Sequence, residues 1–235
     1  LNIYWITQTT EDLPEKLNWL HPSEMDVLTS FRFAKRKNDW LLGRWTAKKA
    51  VRAFLRNSHT DLSLEYIRIV SAADGAPEAF WQGDKLPVLI SLSHTHRTAM
   101  CTIASPGIKL GCDIEKIEDR SELFIKDYFT KQEKSTITSL GKEKLPLWTN
   151  MVWSAKESAL KALRTGLRID TRKIDIEFFP GTIENKWYKL KGIYYEDQMR
   201  FYGYWQYQKD FVLSCLTNVS ESKLIEISAN GNLQR

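Results

Sequence analysis

Cysteine is scarce in this chain, and long apolar runs are missing altogether. Cys101, Cys112 and Cys215 are the only three in 235 residues. Odd in number, scattered and without a Cys-x-x-Cys pair, they suggest neither a disulfide framework nor a zinc site and read as reduced, buried thiols. Apolar stretches such as 88–92 and 211–213 fall far short of the roughly 20 residues that span a bilayer. The opening Leu1-Asn2-Ile3-Tyr4-Trp5 reads as a strand and lacks the basic start and apolar middle of a signal peptide. A cytoplasmic chain is therefore expected, with no membrane partner. What is present is apolar material, 43% of residues with 12% aromatic, enough for one large core or two small ones. The net charge of +5 favours anionic partners, although a modest basic excess alone is equally an ordinary solvated surface.

The pattern of apolar residues predicts a first strand at 3–7, then a helix starting at Ser23 behind Pro22, with Asp26 closing a capping box. A long helix is expected over 37–56, with Trp40, Leu41, Ala47, Val51 and Leu55 along one stripe and a strongly basic opposite face. Strands are expected at 66–70, 88–93, 98–104 and 109–115, and a second long helix at 147–163, closed near Gly166. The remainder reads as strands at 174–179, 187–190, 201–207, 211–216 and 224–227, with a frayed tail from Ser228.

Trp45-Thr46-Ala47-Lys48-Lys49-Ala50 echoes Trp153-Ser154-Ala155-Lys156-Glu157-Ser158, each on an expected helix. The fold class this implies is α+β, built as two similar α+β halves related by pseudo-two-fold symmetry, each a helix packed on a small, mainly antiparallel sheet. The halves are expected at 1–106 and 107–235. Lys49 stands where Glu157 stands, so one half offers cations and the other carboxylates.

Gly111-Cys112-Asp113-Ile114-Glu115 puts two carboxylates on one face of a strand, with Cys112 and Ile114 on the other. Like charges this close call for a cation, and oxygen ligands without His or Cys suit a hard ion such as Mg2+, which shares its shell with water and substrate phosphates. Alone, an Asp-x-Glu pair is better read as a solvated strand edge. On the second long helix, Val152, Ala155, Ala159 and Leu163 form a core stripe, while Glu157 and Lys161, four apart, face the same way. An ordinary surface ion pair there contributes only about 0.3–0.5 kcal/mol.

Taken together, these segments resemble phosphopantetheinyl transferases. Gly111-Cys112-Asp113-Ile114-Glu115 is similar to the family's Gly-Ile/Val-Asp-x-Glu, and Trp153 to Lys161 to its Trp/Phe-x-x-Lys-Glu-Ser/Ala-x-x-Lys. Ser91-Leu92-Ser93-His94 resembles Ser-x-Ser-His, and Phe129-Thr130-Lys131-Gln132-Glu133 resembles Phe-Ser/Thr-x-x-Glu. The motifs cover residues 30 to 165, and the length and two-half layout match the large, monomeric surfactin-type members. The resemblance implies Mg2+-dependent transfer of the 4'-phosphopantetheine arm of coenzyme A to a serine of an apo acyl, polyketide or peptidyl carrier protein, releasing adenosine 3',5'-bisphosphate.

By the same resemblance Asp113, Glu115 and Glu157 hold Mg2+, with Glu157 an alternative proton acceptor, and Lys161 neutralises phosphate charge beside Lys156 as a second contact. His94 and Ser93 are expected to hold a coenzyme A phosphate, and Lys48, with Arg36 and Arg44, the 3'-phosphate. Glu133 reads either as a helix cap or as an alternative base, and His96 as an ordinary surface residue. Gly75-Ala76-Pro77 departs from the family's Gly-Lys-Pro, so Gly75 and Pro77 retain backbone contacts to the adenine while a cation is lost. Two other readings compete: a Mg2+-dependent nuclease, which the Lys-Glu-x-x-x-Lys spacing argues against, and an inactive coenzyme A or carrier-binding module, which the intact acidic positions argue against. Nucleic acid is accordingly not an expected partner.

Overall fold

The protein is described by a computed structural model, which covers residues 1–56, 62–180, 183 and 185–228. Its contacts divide the chain into two units, Leu1–Gly107 with Ser222–Arg235, and Ile108–Glu221.

The first unit contains β1 (Asn2–Thr9), α1 (Pro22–Ser30), α2 (Ala34–Leu55), β2 (Ile67–Ser71), β3 (Pro77–Trp81), β4 (Asp84–Lys85), β5 (Leu89–Thr95) and β6 (Thr98–Ala104). Strand β6 lies antiparallel between β1 and β5, and β2, β3 and β4 form a separate antiparallel sheet. Helix α2 lies on β1, β5 and β6 and buries Ala47, Ala50 and Val51 completely. Its start precedes the expected residue 37, and α1 is capped by His21 rather than Ser23. The His21 Nδ1 accepts the Ser23 N–H at 3.2 Å, and Glu24 returns to the His21 N–H at 3.1 Å. Pro22, whose fixed φ suits the first helical position, moves that cap ahead of the serine.

The second unit contains β7 (Leu110–Lys116), α3 (Glu122–Tyr128), α4 (Lys131–Ser139), α5 (Leu145–Leu163), β8 (Ile174–Phe178), β9 (Tyr188–Tyr194), β10 (Met199–Gln208) and β11 (Phe211–Thr217). These strands form one antiparallel sheet in the order β7-β11-β10-β9-β8. Helix α5 lies across β7 and β11 over a core that includes Trp148, Phe201 and Trp205. It closes at Arg164, whose left-handed φ of 60° ends the helix two residues before the expected Gly166.

Each unit is thus a long helix on a mainly antiparallel sheet, the expected α+β architecture. The division differs at the C-terminus. A last strand, β12 (Lys223–Glu226), pairs in parallel with β1 and so joins the first unit, not the second as the expected 107–235 half had it. It covers a β1 edge whose backbone groups would otherwise stand unpaired. The expected frayed tail lies beyond Ser228, outside the described residues. Among the described residues, no helix is long and apolar enough to cross a membrane.

Candidate active site

The site is built where β7 runs against the backbone of α5. A Cβ at Gly111 would lie 1.8 Å from the Ser158 carbonyl oxygen and 2.7 Å from the Ala162 nitrogen, so only glycine permits this approach. Ser154 and Ser158 of α5 reach Ser214 of β11 at 2.8 and 2.7 Å, satisfying their buried hydroxyls. Helix and strand being locked together, alternate side chains of β7 meet α5 directly. Cys112 and Ile114 point into the interior at 0% and 2% exposure, as the strand period requires, while Asp113 and Glu115 share the face toward α5.

Lys161 Nζ donates to Asp113 Oδ1 at 2.7 Å and to the Cys112 carbonyl at 3.1 Å. Glu115 is held through both oxygens, Oε1 accepting from Trp153 Nε1 at 3.1 Å and Oε2 from Arg120 at 2.9 Å. Glu157, one helical turn before Lys161, is coupled electrostatically to Asp113 and Lys161. The structure therefore brings Asp113, Glu115, Glu157 and Lys161 together.

Their electrostatics follow from burial and crowding. Desolvation, and then the neighbouring Asp113, push Glu115 up to about 7 against the opposing pull of Arg120 and Trp153. The same two causes raise Glu157, with Lys161 opposing. Burial alone would lower Lys161, but Asp113, Cys112 and Glu157 outweigh it and raise its pKa. Three mutually repelling carboxylates with hard oxygen donors suit a divalent cation in kind. Among the described residues no group of three or more His, Cys, Asp or Glu side chains is gathered into a cage that could hold a metal ion. An ion that keeps several waters and shares substrate oxygens needs no such cage.

Two expected phosphate contacts are placed elsewhere. Lys48 is completely buried, its ammonium 2.5 Å from Glu24 Oε2 and bonded to the carbonyls of Trp19 at 3.0 Å and Leu64 at 3.1 Å. Lys156 is equally buried, 3.0 Å from Glu133 Oε2 and bonded to the carbonyls of Thr171 and Ile174. An ammonium has three hydrogens, and each of these has three acceptors inside the protein. Neither lysine has a hydrogen left for a phosphate. Glu133 closes a capping box with Thr130 and accepts the Ile176 N–H at 2.9 Å, which makes it a cap and strut rather than a base.

The arrangement recurs in the first unit. Glu24 closes the capping box of α1 and accepts the Ile69 N–H at 3.0 Å, as Glu133 does for α4 and β8. Trp45 meets Trp19 edge-on at 5.0 Å, and Trp153 meets Tyr128 at 5.1 Å. The echo seen in the sequence is thus a repeated interior strut. Lys49, at the position of Glu157, is only 8% exposed, its ammonium over the Trp45 ring at 5.5 Å.

The remaining expected contacts lie in the first unit. His94 lines a cleft of about 800 Å³ together with Lys35, Asp39, Arg97 and His96, the last taken from sequence as an ordinary surface residue. Ser93 beside it is buried. Arg36 is exposed, whereas Arg44 is drawn over the Trp40 ring at 4.8 Å, with its Nε 3.9 Å from Glu24. Gly75 lies in the turn between β2 and β3 and Pro77 opens β3, and neither is among the residues lining this cleft. Sequence reasoning placed Lys35 only in a general basic stretch, missed Arg120, Asn150 and Arg97, and left Trp153 as a motif position without a role. The three-residue spacing of Asn150 and Trp153 on α5 was the local signal that these two side chains act on one face.

The family model of the 4'-phosphopantetheinyl transferase superfamily matches residues 109–215, the segment that carries all four converging residues. Among individual proteins, the chain is similar to the L-aminoadipate-semialdehyde dehydrogenase-phosphopantetheinyl transferase of Mus musculus, 25% identical over 197 residues, 76% of this chain and 61% of that one. The Xenopus laevis protein of the same name is 24% identical over 220 residues, 84% of this chain and 69% of that one. The human protein of that name is 24% identical over 197 residues, with 76% and 61% covered. The chain thus spans about three fifths of the length of the mouse and human relatives. A solved holo-[acyl-carrier-protein] synthase of Thermotoga maritima aligns over 47% of this chain and 63% of that one, at 19% identity and a TM-score of 0.36.

Proposed function

We propose that this protein transfers the 4'-phosphopantetheine arm of coenzyme A to a serine hydroxyl of an apo acyl, polyketide or peptidyl carrier protein, with Mg2+. The observation that carries this reading is the convergence of Asp113, Glu115, Glu157 and Lys161 on the facing surfaces of β7 and α5, inside the matched segment. Attack on phosphorus demands positioning and charge neutralisation more than covalent help from the protein. Asp113, Glu115 and Glu157 are the residues that would hold the metal, which when bound supplies positive charge to the pyrophosphate. Lys161 lies against Asp113 and adds a fixed cation where negative charge develops. Glu157, its pKa raised by burial and by Asp113, is in this reading also the acceptor for the serine proton. His94, with Lys35 and Arg97 in the same cleft, provides donors for the phosphates of coenzyme A, and the exposed Arg36 adds a further cation.

Incubation with coenzyme A, Mg2+ and an apo carrier protein tests the reading by the mass of the carrier. Transfer adds about 340 Da, the mass of the arm. No gain with carriers of the acyl, polyketide and peptidyl types would overturn it, and cleavage of a nucleic acid under the same conditions would favour a nuclease instead.

A further inference from the structure

Glu115 is held by an arrangement larger than an ion pair. Arg120, the donor to its Oε2, also donates Nε to Asn150 Oδ1 at 2.8 Å. Asn150 is fully buried and anchored in turn, its Nδ2 donating to the carbonyls of Glu118 and Pro146, each at 2.7 Å. The Arg120 guanidinium lies over the Phe124 ring at 5.1 Å, and that ring meets Trp153, the donor to Oε1, edge-on at 4.9 Å. Trp153 is packed a second time, against Tyr128 at 5.1 Å. Two donors thus approach the two oxygens of one carboxylate, each donor is fixed by its own partners, and Phe124 touches both.

We propose that Arg120 and Trp153, braced by Asn150 and Phe124, are positioning residues that set the plane of the Glu115 carboxylate for a divalent cation. The inference rests on reading Asp113, Glu115 and Glu157 as metal ligands. A carboxylate left free to rotate presents its lone pairs in many directions, so an ion must first restrict it. Here both oxygens are already restricted, and each retains a lone pair for an ion while accepting one hydrogen bond. Partners that orient metal ligands in this way typically contribute about 10–100-fold in affinity. A lysine at 120 could reach Glu115 or Asn150, but not both in the fork geometry of a guanidinium.

The test is titration with Mn2+ as the probe, followed by the resonance signal of the free ion and by competition with Mg2+, in the absence of coenzyme A. Trp153→Phe keeps the packed ring and removes only the N–H, and Arg120→Ala removes the other donor. Each is expected to bind Mn2+ at least about tenfold more weakly than the wild type, with an unchanged circular dichroism spectrum. Arg120→Lys is expected to recover little of the loss. Equal or tighter binding by folded Trp153→Phe would overturn the proposal, and full recovery by lysine would reduce the role of Arg120 to its charge. Should Arg120→Ala not fold, Trp153→Phe decides alone. A wild-type protein that binds neither ion would overturn the metal assignment itself, an outcome separate from variants that bind as the wild type does.

Discussion

Replacing Lys156 with methionine removes an ammonium whose side chain, like that of its partner Glu133, is 0% exposed. The change breaks the 3.0 Å ion pair and leaves the carbonyls of Thr171 and Ile174 without their donor. Removing one member of a buried pair costs about 3–5 kcal/mol, because the other charge remains in the interior. For a chain of this length that is roughly 6–20 °C in melting temperature, at about 2–4 °C per kcal/mol. Urea unfolding followed by circular dichroism measures the cost, and hydrogen exchange at the Ile176 amide, which donates to Glu133, reports it locally. Lys48→Met, which disrupts the equivalent strut on Glu24, is expected to cost a similar amount in the first unit. The double replacement Glu133→Gln/Lys156→Met should lose less than the single, since it removes both charges and keeps an acceptor for Ile176. A loss below about 1 kcal/mol in Lys156→Met, the size of an exposed ion pair, would refute the strut.

The metal-free protein should become less stable as pH rises from about 5 toward about 8. Folding raises Glu115 from 4.5 to about 7, so the folded state holds a proton there that the unfolded chain has already lost. That contribution is fully present below 4.5 and gone above about 7, and urea midpoints across the range should show the slope flattened in Glu115→Gln. Gly111→Ala should unfold the second unit or displace α5, at a cost beyond the about 1–3 kcal/mol of ordinary overpacking, because its Cβ would meet backbone atoms that cannot move aside. Soluble yield and thermal melting check this. Asp113→Ala and Glu157→Ala should each abolish transfer to a carrier while leaving the circular dichroism spectrum intact, and wild-type rates in either would remove that residue from the mechanism.

Much of this was legible in the chain. Asp113 and Glu115 share a strand face because the period of a strand is two, and Glu157 and Lys161 share a helix face because they are one turn apart. These are local geometries, set by spacing alone. The echo between Trp45 and Trp153 likewise announced two similar α+β units before any contact was known. Gly111 marked the place where strand and helix touch, although only the packed structure shows what a Cβ there would strike.

Tertiary structure decided which way the lysines face and what they meet. Lys48 and Lys156 belong to a residue type that is rarely buried, so a sequence reading assigns them to the surface and to phosphates. Their acceptors come from α1 and the segment before it, from α4, from the turns before β2 and β8 and from the start of β8, and 15 to 29 residues separate each lysine from the carbonyls that hold it. The clamp on Glu115 was hidden for the same reason, its donors lying 5 and 38 residues away. Spacing along one element determines which residues can act together, while the direction of a long charged side chain depends on acceptors that only the folded chain assembles.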